Sequence, residues 1–176
     1  NFEEAGYEVP KTWEELQALT DQIVADGGVP WCIGLGSGGA TGWPATDWVE
    51  DVMLRTAGAE TYDKWVNHEI PFNDPAVATA LAEVGKILKN DKFVNGGYGD
   101  VKTIASTSFQ DAGQPIRDGT CYMHRQASFY AANWPEGTEV GPEGEVWAFY
   151  LPSVDTSTKP VLGGGEFTAA FADRPE

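Results

Sequence analysis

Basic side chains are scarce in this sequence. Eleven lysines and arginines stand against 27 aspartates and glutamates among 176 residues, a net charge of −16. That field repels a phosphate backbone and an anionic membrane surface. No basic run offsets it, because Lys86, Lys89 and Lys92 fall at helical spacing and read as one solvated face. Nucleic acid is excluded as a partner, and the expected ligand is neutral or cationic. Long apolar runs are missing too, so no direct membrane insertion is expected. With two histidines and two cysteines, none at metal-ligand spacing, neither a metal nor a cofactor is expected. His68 and His124 read as surface or second-shell residues. No serine or cysteine stands in a nucleophile elbow. Gly34-Leu35-Gly36-Ser37-Gly38-Gly39 lacks the Lys-Ser/Thr ending of a phosphate loop, and Thr41 to Pro44 does not open a helix at once as a dinucleotide fingerprint would require. The sequence also lacks an initiator methionine. It opens at Asn1-Phe2-Glu3-Glu4 and stops after Asp173-Arg174-Pro175-Glu176, which reads as a piece cut from something longer.

A chain of this length fits one domain and can bury a proper core. Thr12-Trp13-Glu14-Glu15 is a capping box, followed by Leu16, Leu19, Thr20 and Ile23 on one helical face and by a stop at Gly27-Gly28. Pro30 to Leu35 reads as a short strand. Thr46 is expected to cap a second helix that runs to about Ala57 and ends at Gly58, with a short third helix around Tyr62, Trp65 and Val66. Asp74-Pro75 starts a further helix whose stripe is Val77, Ala80, Leu81, Val84, Ile87 and Leu88. Asp100 to Ala112 predicts a weaker helix, Thr120 to His124 a strand and Ser128 to Asn133 a helical turn. Glu145 to Pro152 is the best strand, and Lys159 to Phe167 a last strand interrupted by Gly163-Gly164-Gly165. Helices alternating with short strands argue an α/β fold.

What the chain has in excess is aromatic surface: 12% of residues, seven of them tryptophans. Much of it can be core. Trp43 is different, since it follows the glycine-rich Gly38-Gly39-Ala40-Thr41-Gly42. Asp47 and Trp48 come directly after it. A flat apolar face beside a carboxylate suits a sugar ring, which offers an apolar face for stacking and hydroxyls that need acceptors. Each residue also has a plainer reading: Trp48 as core, Asp47 as a favourable charge in a helix first turn. Gly163-Gly164-Gly165-Glu166 lies where an α/β strand would end, the place where such folds bind ligands. Cys32 and Cys121 are either a disulfide or two small buried thiols.

The ordered series Val9-Pro10-Lys11-Thr12-Trp13-Glu14-Glu15-Leu16, Pro30-Trp31-Cys32-Ile33-Gly34, Ala40 to Arg55, Cys121-Tyr122-Met123-His124-Arg125-Gln126-Ala127-Ser128-Phe129, Phe149-Tyr150-Leu151-Pro152 and Gly163-Gly164-Gly165 resembles the substrate-binding proteins of ABC sugar importers. Within them it is similar to the α-glucoside-type branch of the extracellular solute-binding family that includes maltose-binding protein. The resemblance implies an α/β fold: residues 1–176 as a single lobe, mostly the C-terminal one, of a two-lobed periplasmic-binding-protein-like architecture. A short central sheet would be flanked by helices, with hinge-crossing segments near both ends. It implies a sugar ligand in an interlobe cleft, membrane permease subunits as partners and an extracytoplasmic location. It assigns ligand contacts to Trp43, Thr46, Asp47, Trp48, Arg125, Gln126, Phe129, Gly164, Gly165 and Glu166, and it pairs Cys32 with Cys121. A carbohydrate-active enzyme fragment such as a glycoside hydrolase is the alternative, because 27 carboxylates offer acid pairs cheaply. A third reading is a carbohydrate or adhesion module without transport.

Overall fold

A computed structural model describes residues 1–94 and 101–170. Three α-helices carry the core: α1 over Trp13–Ala25, α2 over Trp43–Val66 and α3 over Pro75–Leu88. Short 3-10 turns fall at Gly38–Ala40, Val101–Ala105, Gln114–Ile116 and Ser128–Asn133.

The capping box forms as expected. The Thr12 hydroxyl accepts from the Glu15 N–H at 3.1 Å, and the Glu15 carboxylate accepts from the Thr12 N–H at 3.2 Å. At the other end of α1, Gly28 N–H reaches Ile23 O at 2.8 Å and Gly27 N–H reaches Val24 O at 3.0 Å, the paired bonds that close a Schellman turn. Trp13, Leu16, Leu19, Thr20 and Ile23 are buried. Asp74 caps α3 by accepting from Ala76 N–H at 2.9 Å, with Pro75 in the first position. Its stripe buries Val77, Ala80, Val84, Ile87 and Leu88, while Leu81 is 45% exposed and falls outside it.

Helix α2 departs from expectation at its start. Its cap is Gly42, not Thr46: Ala45 and Thr46 already donate to Gly42 O at 2.9 and 3.2 Å. Gly42 takes φ 110°, which only glycine adopts without strain. Pro44 needs no N–H bond in the first turn. Thr46 is thereby carried into the helix with an exposed side chain. Gly58 breaks the helical torsion (φ 80°, ψ 167°), and the predicted third helix is the stretch beyond that kink.

Among the described residues the sheet consists of isolated parallel bridges. Trp31 pairs with Val94 on one side and with Met123 on the other, and Gly36 pairs with Ser108. Cys32 N–H donates to Met123 O and Met123 N–H to Pro30 O, both at 2.8 Å, and Trp31 N–H donates to Phe93 O at 2.9 Å. The strand expected from Pro30 to Leu35 is thus flanked on both sides, but among the described residues it pairs only through isolated bridges. The two strands expected later do not form ladders among the described residues. In 145–152 only Val146 is bridged, locally to Val140, and Trp147 and Tyr150 are 51% and 41% exposed. The 159–167 segment has no ladder partner there, and its Val161 and Phe167 are exposed. The residue pattern favoured strands there, yet among the described residues no segment forms a ladder with either. Of the weak helix expected from Asp100, only the 3-10 turn Val101–Ala105 forms; Asp100 lies outside the described residues.

The core gathers α1, α3 and the first half of α2 around Trp31 and Trp48, whose rings meet edge-on at 5.2 Å. Beside it Cys32 and Cys121 are bonded, with Cα atoms 5.5 Å apart, as the resemblance implied. The bond staples the central segment to its Met123 neighbour.

Candidate functional site

Three separate pieces of chain bring aromatic rings together at the surface. Trp43, the first residue of α2, meets Phe109 edge-on at 5.0 Å and Phe129 at 5.9 Å; Phe109 and Phe129 are 6.2 Å apart. Trp43 is half-buried and Phe129 is 46% exposed. The Tyr130 hydroxyl fixes this arrangement. It accepts from Gly113 N–H at 2.9 Å and donates to Gln110 O at 2.6 Å, so the loop bearing Phe109 is tied to the turn bearing Phe129.

Trp43, Asp47, Asp51 and Arg55 follow at four-residue spacing along α2 and share one helical face. A charge row therefore runs inward from the rings. Asp47 is half-buried, and burial raises its carboxyl pKa. The raising effect of Glu50 and Asp51 adds to this, against the lowering effect of Arg125. Arg125 Nη1 lies 3.9 Å from Asp47 Oδ2. The same guanidinium holds Asp51 Oδ2 through Nε and Nη2, each at 3.0 Å. Arg55 contacts the other Asp51 oxygen through Nη1 and reaches Leu151 O through Nε at 2.9 Å. Two arginines thus share one buried carboxylate, and through them the 151 region is fastened to α2. Among the described residues Arg125 Nη1 is enclosed with no hydrogen-bond partner, and it lies on the Asp47 side of the row.

The other expected residues fall in different places. Trp48 is 1% exposed and lies in the core, beneath the Arg125 guanidinium at 5.9 Å; it supports the charge row from below. Gln126 is half-buried and its side-chain oxygen accepts from Ala127 N–H at 2.9 Å. Thr46 is exposed on the first turn of α2. Gly164, Gly165 and Glu166 are exposed, and no hydrogen bond, ion pair or ring contact joins them to the cluster among the described residues. His124 is no surface residue in its chemistry. Its Nδ1 bonds Cys32 O at 2.8 Å and Nε2 is enclosed. Burial pushes its pKa down to about 4. Phe109 was not foreseen. It stands in Ser106-Thr107-Ser108-Phe109-Gln110, where no periodicity or spacing marks an aromatic for a site. Among the described residues no group of three histidine, cysteine, aspartate or glutamate side chains could hold a metal ion.

The three rings and the Asp47 carboxylate thus share one surface of a chain whose segment around Trp31 pairs in parallel on both sides. The sequence is matched over residues 1–173 by the family of bacterial extracellular solute-binding proteins, and the chain belongs to that family. It is 54% identical over 180 residues to the alpha-glucosides-binding periplasmic protein AglE of Rhizobium meliloti strain 1021, covering 99% of this chain and 38% of that protein. It is 45% identical to the osmoprotective compounds-binding protein GgtB of Synechocystis strain PCC 6803, covering 99% of this chain and 41% of that one. The chain therefore spans about two fifths of the length of these relatives. Among solved structures it is similar to the bacterial solute receptor AcbH, which has an exclusive substrate preference for β-D-galactopyranose. There the TM-score is 0.64 at 28% identity, over 77% of this chain and 32% of that one. The apo form of RafE from Streptococcus pneumoniae shares the fold, with a TM-score of 0.64 at 21% identity over 88% of this chain and 37% of that one. No helix among the described residues is long and apolar enough to cross a membrane.

Proposed function

We propose that this chain forms one lobe, mostly the C-terminal one, of a two-lobed sugar receptor serving an ABC importer, and that the Trp43–Phe109–Phe129 platform with Asp47 is its share of the ligand site. The observation that carries this is the convergence of three rings from distant segments beside a half-buried carboxylate. A pyranose stacks on the rings, and Asp47 accepts from its hydroxyls. Bonds to a charged acceptor contribute about 1.5–3 kcal/mol each. Arg125, anchored on Asp51, fixes Asp47 in place. Thr46 and Gln126 stand at the rim, and Trp48 contributes only from beneath. Gly164, Gly165 and Glu166 enter this reading through the resemblance alone.

The similarity to a periplasmic α-glucoside receptor supports a neutral α-glucoside as ligand, an extracytoplasmic location, and permease subunits as the acceptor of the loaded receptor. The role is binding without turnover. Calorimetry on the full-length protein with maltose and methyl α-D-glucopyranoside tests the reading. Trp43→Ala and Phe129→Ala are each expected to weaken binding roughly tenfold or more, equivalent to 1.4 kcal/mol. Unchanged affinity in both variants, or release of glucose from maltose during incubation, would contradict it.

A further inference from the structure

Glu50 and Tyr62 adjoin the charge row without a part in it so far. Trp43, Asp47 and Glu50 follow at spacings of four and three, so they share one face of α2. Two carboxylates one turn apart repel each other. Asp47 feels this: burial raises its carboxyl pKa most, Arg125 opposes, and the Glu50 charge raises it further. The arginines do little for Glu50. Arg55 and Arg125 are both held on Asp51, and Arg125 alone reaches the Asp47 side, at 3.9 Å.

Glu50 is held instead by Tyr62, whose hydroxyl donates to Glu50 Oε2 at 2.8 Å across twelve residues of sequence. In an unbroken helix twelve residues rise about 18 Å, more than a tyrosine, a glutamate and one hydrogen bond span. The contact exists because Gly58 leaves the helical torsions, at φ 80° and ψ 167°, and turns the residues beyond it back toward the first part of α2. Nothing lies within 4 Å of where a Gly58 Cβ would stand, so glycine is needed there for its torsion and not for space. The Tyr62 ring is half-buried against the core and meets Trp65 edge-on at 5.9 Å, and Trp65 meets Phe72 at 6.1 Å. Burial first, then the Glu50 bond and the charges of Glu50, Asp63 and Asp47, push the Tyr62 pKa far above its usual value. The hydroxyl therefore stays protonated, and donating, throughout the range in which carboxylates titrate.

We infer that Tyr62 is a positioning residue of the ligand site. Delivered by the Gly58 break, its hydroxyl holds the Glu50 carboxylate and weakens its repulsion of Asp47, which keeps Asp47 ionised to accept from ligand hydroxyls. The charged and titratable groups around Asp47 are then complete: Glu50 and Asp51 on its own helix, Arg125 from the segment after Met123, and Tyr62 from beyond the break. The inference rests on Asp47 as a ligand contact in the sugar-receptor reading, and its test separates the two.

The experiment is calorimetry with maltose on the full-length protein from pH 8 down to 4.5. Wild-type affinity should fall on the acid side, as Asp47 takes up a proton and ceases to be a charged acceptor. Tyr62→Phe keeps the ring on Trp65 and removes the donor. More of the Glu50 charge then reaches Asp47, so the acid fall should move up by roughly half a pH unit, about threefold weaker binding along it. Adding Glu50→Gln to Tyr62→Phe removes that charge and should bring the fall back to the wild-type position or below. A purely structural role for Tyr62 would weaken maltose alike at every pH and would not be rescued by Glu50→Gln. Glu50→Gln alone should move the fall down, which keeps the inference testable if Tyr62→Phe folds poorly. An acid fall that is absent from the wild type, unmoved in Tyr62→Phe or not restored in the double variant would overturn the role of Tyr62 and leave the receptor reading standing. No binding of maltose by the wild type at any pH would overturn both.

Discussion

Asp51 is the most informative residue to change. Its carboxylate is buried, is held by Arg125 at 3.0 Å and is contacted on its other oxygen by Arg55. Asp51→Asn keeps the shape and removes the charge, which leaves the buried Arg55 without its counter-ion and Arg125 with Asp47 alone, 3.9 Å away. Breaking one side of a buried ion pair costs about 3–5 kcal/mol. At about 2–4 °C per kcal/mol for a chain of this size, the melting temperature should fall by about 10 °C. Thermal melts followed by circular dichroism give that number. The triple variant Asp51→Leu, Arg55→Met, Arg125→Met separates stability from binding. Replacing a whole buried charge group by apolar side chains is often neutral or stabilising, so it should melt within a few degrees of the wild type. It should still bind maltose poorly, because Asp47 then stands beside no arginine. A loss below about 1 kcal/mol in Asp51→Asn, or full maltose affinity in the triple variant, would refute the account of this charge row as the support of the site.

His124 predicts a pH dependence. Its folded pKa of about 4 lies below the ordinary 6.5, so its contribution is whole above pH 6.5 and is lost as the pH falls toward 4. The unfolded chain takes up the proton that the folded one refuses, a loss of up to about 3 kcal/mol. Urea midpoints at pH 7 and 4.5 should show a smaller drop in His124→Asn, whose amide can still donate to Cys32 O; an equal drop would count against the assignment. Reducing the Cys32–Cys121 bond frees a loop of 89 residues and should cost about 4–5 kcal/mol in the chain-entropy account. Unfolding in urea with and without dithiothreitol measures it. Gly42→Ala puts a side chain into open space at φ 110°, so its cost is torsional alone, about 1–2 kcal/mol by thermal melt. It should also weaken maltose binding by displacing Trp43.

Much of the helical framework was readable in the residues. Thr12 with Glu15, and Asp74 with Pro75, are local capping signals whose meaning does not depend on the rest of the chain, and both helices start where those residues direct. Gly58 was read as a stop and does break the torsion. Thr46 misled because it is a good cap by type. Four residues earlier, Gly42 supplied a conformation that Thr46 could not, and Pro44 fitted the turn it opened. The later strands failed for a different reason: a run such as Val146 to Leu151 declares that it is apolar, but pairing needs a partner edge, which is a property of the whole fold. At the candidate site, Trp43 lies near Phe129 and Asp47 near Arg125. Phe109 could not be found by pattern, since it reaches the rings through a loop set by contacts with Gly36 and Tyr130. Trp48, one residue beyond Asp47, is turned about 100° round α2 and goes into the core.

The single-rung pairing of the central segment also sets an order in time. Among the described residues, segment 30–32 is hydrogen-bonded by Phe93 and Met123, the latter about ninety residues further along. Loop closure over such distances comes late, and chains dominated by distant pairings fold slowly. While the chain is being made, this buried segment waits unpaired with Cys32 still reduced. The disulfide can then form only once the distant partner has docked, so oxidation registers a completed step of folding and locks it against reversal.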